Sequence, residues 1–91
     1  MSLTREILEG SAWRILPLDA KPEDKFVAEM RLNRLDSDMF PGHTVAHGNV
    51  FNDSRGIFPD GERVRTSTIV RIFNVDGDDY IETRNTLYKM I

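Results

Sequence analysis

Residues 55–88 read RGIFPDGERVRTSTIVRIFNVDGDDYIETRNTLY, and the architecture expected of the chain follows from this run. It contains two turn signals, Pro59-Asp60-Gly61 and Asp76-Gly77. Proline presets a negative φ, whereas glycine and aspartate tolerate the positive φ that tight turns require. Residues 63–73 and 80–90 flank the second turn and are rich in β-branched and aromatic side chains. The sequence therefore predicts a hairpin at the heart of a small antiparallel sheet.

The composition is that of one small globular domain over residues 1–91. Hydrophobic residues make up 40% of the chain, and no apolar run approaches the roughly 20 residues of a transmembrane helix. The absence of cysteine excludes disulfides and thiolate catalysis. The formal net charge of −3 is spread evenly, so charge alone predicts neither a nucleic-acid-binding stripe nor a nucleic-acid mimic. We expect a cytoplasmic protein with no signal peptide and no membrane segment.

The N-terminal part of the chain predicts two short elements. Residues 4–9 begin with a candidate N-cap, Thr4, and precede Gly10, which predicts a helix of one or two turns. So short a helix is stable only if it packs on the sheet. Residues 13–18 predict a short strand that ends near Pro17, because proline cannot donate to a ladder.

Residues 44–52 predict a strand, and residues 36–42 before it predict a loop. Gly48 inside the strand indicates a bulge or a close approach of another backbone. Met39 and Phe40 in the loop are expected to cover the open end of the core.

Residues 25–35 are compatible with two kinds of element. Helix propensity is good in the middle of the segment, but its apolar residues scatter around a helical wheel. A helix over residues 22–35 is therefore the alternative, and the strand is preferred because periodicity is the stronger signal. With a period of two, four apolar side chains fall on one face: Phe26, Ala28, Met30 and Leu32.

These elements together predict a mainly β fold with a short N-terminal helix. Five strand candidates separated by turns are typical of a small curled antiparallel sheet or of an SH3-like or OB-like barrel. Curling or closing the sheet is how so small a chain protects its edges. The alternative is an α+β fold in which a helix at residues 22–35 packs on a C-terminal antiparallel sheet.

Three patterns that suggest chemistry have simpler structural explanations. His43 and His47 would lie about 13 Å apart along a strand, too far to share one metal ion. Residues 76–79 hold clustered carboxylates, but Asp-Gly between two strands is first a hairpin turn. Ser67 lacks the Gly-x-Ser-x-Gly setting of an exposed nucleophile. We therefore predict no catalytic residue, no metal, no cofactor and no enzymatic activity.

Arginine and aromatic residues concentrate around the predicted hairpin and form a candidate binding surface. A surface of this kind stacks single-stranded bases in some proteins. Interleaved acidic residues neutralise much of its field, which favours a solvated face of exposed ion pairs. The members of the candidate surface are Arg55, Phe58, Arg63, Arg65, Tyr80, Arg84 and Tyr88.

Four sequence segments resemble small uncharacterised proteins encoded in bacteriophages and prophages. The segments are residues 48–56, 58–61, 64–69 and 82–88, and the resemblance covers residues 42–91. It rests on turns and strand hydroxyls, so it implies a bacterial or phage origin and no particular activity.

Two functions are compatible with these observations. The preferred one is a non-enzymatic binding or regulatory accessory module that acts through an unknown protein partner or by self-association. The alternative is a nucleic-acid-binding barrel that uses Arg55, Arg63, Arg65, Tyr80 and Tyr88.

Overall fold

The structure, a computed structural model, describes residues 3–37 and 43–91. Within these residues one helix, α1 (Leu3–Glu9), precedes the strands. The mainly β fold with a short N-terminal helix is confirmed. Met39 and Phe40, which were expected to cover the core, lie outside the described residues. The strands are β1 (Ile15–Pro17), β2 (Phe26–Ser37), β3 (Thr44–Phe51), β4 (Glu62–Arg65), β5 (Ile69–Val75), β6 (Asp78–Thr83) and β7 (Thr86–Met90).

The strands form one mixed sheet in the order β1-β5-β6-β7-β2-β3-β4. β1 runs parallel to β5 and β2 runs parallel to β7, so the sheet is not antiparallel throughout as predicted. Parallel partners are joined by long connections, and their pairing therefore leaves no local sequence signal. β3 and β5 are in contact although three strands separate them in the sheet, which shows that the sheet curls. It does not close into a barrel, because β1 and β4 each pair on one side only among the described strands.

β2 shows that the strand interpretation of residues 25–35 is correct and that the helix alternative is wrong. Ala28, Met30 and Leu32 are buried, as the period-two pattern requires, while Phe26 at the start of the strand is 53% exposed. The register against β3 shifts between Leu32 and Arg34. This β-bulge reverses the alternation, so that Leu35 packs against the core despite its odd position.

The predicted hairpin is present, and it joins β5 to β6 through Asp76-Gly77. The φ angles of Asp76 and Gly77 are 51° and 88°, and a two-residue turn with both angles positive matches the right-handed twist of the strands. Each long strand of the prediction is divided in two, however. Residues 66–68 separate β4 from β5, and residues 84–85 separate β6 from β7. The hydroxyl of Thr83 closes the second break by bonding the Thr86 N–H and C=O.

The curled sheet is apolar on both faces. On the inner face α1 contributes Leu8 to the core, and the half-buried Trp13 packs against the same cluster. A smaller cluster on the other face contains Phe73 and Tyr80, whose rings stack with their centroids 5.2 Å apart. The inner core consists of Leu8, Ala28, Met30, Leu32, Ala46, Val50, Ile69, Ile72, Ile81, Tyr88 and Met90.

The ends of α1 agree only in part with the sequence analysis. The helix stops before Gly10, whose N–H donates to the Glu6 carbonyl at 3.0 Å. Thr4 lies inside the helix, and its hydroxyl donates to the Ile91 carbonyl at 3.2 Å. Thr4 therefore ties the helix to the C-terminal end of the sheet.

Candidate functional site

The aromatic members of the candidate surface do not form a common exposed platform. Tyr80 is 6% exposed and stacks on Phe73 in the smaller cluster. Tyr88 is 5% exposed and belongs to the inner core on the opposite face of the sheet. Phe58 is half-buried against that inner core. The aromatic surface that would stack single-stranded bases is therefore not assembled.

Arg55 is held inside the connection between β3 and β4. Its Nε lies 3.3 Å from Oδ1 of Asp53, and its guanidinium carbon lies 5.2 Å from the centroid of the Phe26 ring. Burial raises the pKa of the Tyr88 hydroxyl, and hydrogen bonds that involve Thr86 and Arg55 partly oppose that increase. Arg55 thus has local structural partners and is not a free cation on the surface.

Arg84 lies in the turn between β6 and β7, beside Arg55. The two arginines line an open cleft together with Phe26 and Ile57, which are more than half exposed. Asp24 lies in the same lining and lowers the positive charge there. This end of the molecule combines exposed apolar area with mixed charge.

Arg63 and Arg65 lie on a second, more basic surface that spans β2, β3 and β4. The register pairs Arg63 with Asn49 and Arg65 with His47. The same two β3 residues pair with two arginines of β2 on their other side. Side chains that lie opposite each other on neighbouring strands project from the same face of a sheet. We call this surface the arginine face, and it consists of Arg31, Arg34, His47, Arg63 and Arg65.

A groove of about 240 Å³ runs across the arginine face. Val64 packs into the inner core and Gly48 has no side chain, so the backbone of these two residues forms the floor. Asp36 lies at one end, where its Oδ2 is 3.0 Å from Arg34 Nε and 2.9 Å from His47 Nε2. The walls are formed by Asn33, Arg34, His47, Arg63 and Arg65.

β4 is the last strand of the sheet among the described residues, and no described strand pairs with its outer edge. The Thr66 N–H donates to the Ala46 carbonyl at 2.9 Å, which fixes the hydrogen-bonding phase between β4 and β3. Hydrogen-bonded residues alternate along an antiparallel pair, so Val64 directs its backbone groups at β3. Arg63 directs its backbone groups to the opposite side, where no strand of the described chain pairs with it.

Neither the histidines nor the Asp76–Asp79 segment forms a metal site in the part of the chain that the structure describes. His43 Nδ1 lies 3.5 Å from the Thr68 hydroxyl, whereas His47 contacts Asp36 on the arginine face. Asp79 accepts hydrogen bonds of 2.6 and 2.7 Å from Arg5 Nη1. These side chains have structural partners, and Ser67 is exposed between β4 and β5.

Comparison with protein-family models finds no match, and comparisons with curated proteins and with solved structures find no significant match either. The resemblance of residues 42–91 to bacteriophage and prophage proteins therefore stays a prediction. No helix among residues 3–37 and 43–91 is long and apolar enough to cross a membrane.

The sequence analysis identifies two of the five residues of the arginine face, Arg63 and Arg65. It does not identify Arg31 or Arg34, and it considers His47 only as a metal ligand. The missing signal is the cross-strand register of β2 with β3, including the bulge at Asn33. Alternation alone places Arg31 on the outer face of its strand, and the register is needed to place it beside β4.

Proposed function

We propose that this protein is a small, non-enzymatic binding module that docks an extended acidic segment of a partner protein along the outer edge of β4. The observation that carries the proposal is the outward-facing backbone of Arg63 in β4, which pairs with no strand among the described residues and lies beside the arginine face. In strand addition, main-chain hydrogen bonds provide affinity and alternate side chains provide specificity. Acidic side chains at every second position would lie against the arginines.

Charge complementarity favours an acidic partner over a second copy of this chain. Two copies that paired β4 with β4 about a two-fold axis would place Arg63 and Arg65 against the same residues of the partner copy. Like charges directly opposite each other destabilise a strand pair. Charged side chains on an edge strand also prevent non-specific pairing with other strands. An acidic segment would be attracted to the arginines of β4, whereas a second copy of β4 would be repelled by them.

The alternative nucleic-acid function has less support. It depends on Tyr80 and Tyr88 as stacking surfaces, and both are almost completely buried. Without aromatic stacking, the arginine face offers only electrostatic attraction to a phosphate backbone in a chain whose net charge is −3. Single-stranded oligonucleotides therefore serve as a competing ligand in the test.

Titration of ¹⁵N-labelled protein with an octapeptide of alternating glutamate and valine tests the proposal. We expect saturable changes in the amide signals of Arg63 and Arg65, and no saturation with the same peptide carrying lysine for glutamate. Changes confined to other surfaces, or tighter binding of an oligothymidylate, would contradict strand addition.

Two variants at one position separate backbone pairing from charge. Arg63→Ala removes the guanidinium and keeps the outward N–H, whereas Arg63→Pro removes both and leaves the hydrogen bonds to β3 intact. We expect Arg63→Pro to bind the peptide about tenfold more weakly than Arg63→Ala, since it alone loses the outward backbone N–H and leaves the peptide carbonyl without a donor, a loss of about 1.4 kcal/mol. Equal affinities would show that the β4 edge is not used. The dispersion of the amide spectrum confirms that both variants fold.

A further inference from the structure

We infer that the groove on the arginine face is a binding site for a phosphoryl group. The inference goes beyond the proposed function, because the groove lies on the face of the sheet and the peptide edge lies beside it. Arginine is suited to phosphate because its planar guanidinium presents parallel N–H donors to two oxygens of the ligand. The walls of the groove carry three such groups, on Arg34, Arg63 and Arg65.

Asp36 orients the side chains of Arg34 and His47 without occupying all the donors of Arg34. Its Oδ2 accepts from Nε of Arg34 and contacts Nε2 of His47. The two terminal nitrogens of Arg34 make no hydrogen bond to any described residue, so they can form the fork that grips a phosphate. Arg63 likewise forms no ion pair with a described residue. Even with only Arg34 and Arg63 counted, two guanidinium groups face one carboxylate among the described residues, so the groove keeps an excess of positive charge.

The shape of the groove favours a small anion. Its volume of about 240 Å³ is below the roughly 300–1,000 Å³ of sites that enclose drug-sized ligands. The floor is main chain of Gly48 and Val64, and the walls are polar or charged. A tetrahedral dianion can reach donors on all sides of such a groove, whereas an apolar ligand would desolvate the arginines without compensation.

A free phosphate compound and a phosphorylated side chain would present the same chemistry to the groove. The test therefore uses inorganic phosphate, O-phosphoserine, and an acidic octapeptide with and without one phosphoserine. Each is titrated into ¹⁵N-labelled protein at constant ionic strength, with sodium chloride as the reference salt. We expect saturable changes at the side-chain Nε–H of Arg34 and at the amides of His47 and Arg63 with the phosphorylated ligands. Chloride should produce only weak, linear changes.

Arg34→Lys tests the groove, because lysine keeps the charge and loses the fork. We expect phosphate to bind this variant at least about tenfold more weakly than the wild type. Arg84→Lys is the matched control, since Arg84 is an exposed arginine far from the arginine face, and its phosphate affinity should equal that of the wild type. Equal effects of the two variants, or identical behaviour of phosphate and chloride, would overturn the inference.

The same variants keep this inference distinct from the proposed function. If phosphate binds and Arg63→Pro does not weaken the peptide more than Arg63→Ala, the groove is a phosphoryl site and the edge is not a docking strand. A phosphopeptide that binds at least about tenfold more tightly than phosphate, and loses that gain in Arg63→Pro but not in Arg63→Ala, identifies a phosphorylated segment as the source. Equal affinities identify a free phosphoryl compound. Failure of every phosphorylated ligand to saturate refutes the phosphoryl site and leaves the test of the edge unaffected.

Discussion

Gly48 in β3 is the residue at which the packing of the sheet tolerates least change. A Cβ added there would lie 2.6 Å from the carbonyl oxygen of Arg31 and 2.7 Å from Cγ of Met30. The side chain of Met30 can move, but the Arg31 carbonyl belongs to the neighbouring strand. Of the two roles that the sequence predicts for Gly48, the close backbone approach is therefore confirmed.

We expect Gly48→Ala to lower the free energy of unfolding by about 1–3 kcal/mol, since overpacking displaces backbone as well as side chains. Urea unfolding followed by circular dichroism measures the change. Val70→Ala is the control, because more than half of Val70 is exposed and its loss should cost less than about 0.5 kcal/mol. A Gly48→Ala variant as stable as the control would mean that β2 and β3 separate freely at this point.

At the scale of elements, the connection from β3 to β4 is organised by one carboxylate. The side chain of Asp53 is completely buried, and its Oδ2 accepts from the N–H groups of Ile57 at 3.0 Å and Phe58 at 3.2 Å. Its Oδ1 lies 3.3 Å from both the N–H and the Nε of Arg55. Burial opposes ionisation of this group, but these hydrogen bonds outweigh burial and lower the pKa of Asp53. The conformation of the β3–β4 connection is therefore stabilised by the ionised carboxylate of Asp53, to which the N–H groups of the connection donate.

Replacing this carboxylate should loosen the connection before it unfolds the sheet. We expect Asp53→Ala to cost about 1–3 kcal/mol, because it leaves the N–H groups of Ile57 and Phe58 without their acceptor. Hydrogen exchange should accelerate at the amides of Ile57 and Phe58 and change little in the β5–β6 hairpin. Asp60→Ala is a comparison within the same segment, since Asp60 is exposed and accepts a single bond, from the Asn52 N–H. Equal exchange in the two variants would show that Asp53 does not order the connection.

The elements also show what the sequence can predict and what it cannot. Local signals located α1, β3, and the hairpin at Asp76-Gly77, because turn residues and alternation act over a few positions. The breaks at residues 66–68 and 84–85 were missed, since hydroxyl bonds such as that of Ala46 N–H to Thr66 Oγ1 replace ladder bonds without a turn residue to mark them. The prediction that Tyr80 and Tyr88 are surface residues is wrong for a related reason. Alternation shows which residues share a face of the sheet, but where both faces are covered it does not show which face is exposed.

At the scale of the whole molecule, the two halves of the sheet differ in the side chains that their outer faces carry. β5, β6 and β7 carry apolar side chains on both faces, with Phe73 and Leu87 on one face and Ile72 and Ile81 on the other. The outer face of β2, β3 and β4 carries the arginines instead. The half that is buried on both faces supports the fold, and the half with a polar outer face leaves cations and an open edge for the proposed ligands.

Glu82 on β6 links the two halves of the sheet. Its side chain is 8% exposed and contacts residues from distant parts of the chain. Lys25 Nζ, just before β2, lies 2.6 Å from its Oε2, and Arg71 Nε on β5 lies 2.5 Å from its Oε1. Burial alone would raise the pKa of Glu82, but the hydrogen bonds and charges of Lys25 and Arg71 outweigh it and lower the pKa. The ionised form of Glu82 is therefore favoured by folding.

This lowered pKa predicts how stability changes in acid. A carboxyl whose pKa is lower in the folded state contributes stability that is fully present above its unfolded pKa of about 4.3 and is lost as the pH falls through the folded value. We expect the free energy of unfolding to decrease below about pH 4.5, with Asp53 contributing in the same direction. Glu82→Gln should cost about 1–3 kcal/mol at pH 7 and less at pH 3, because protonation of the wild-type carboxyl, first in the unfolded state, removes part of the stability that its charge provides. Urea midpoints at several pH values measure both effects, and Glu23→Gln, at an exposed position, controls for the change in net charge. A cost of Glu82→Gln that stays constant from pH 7 to pH 3 would mean that folding does not favour the charged form.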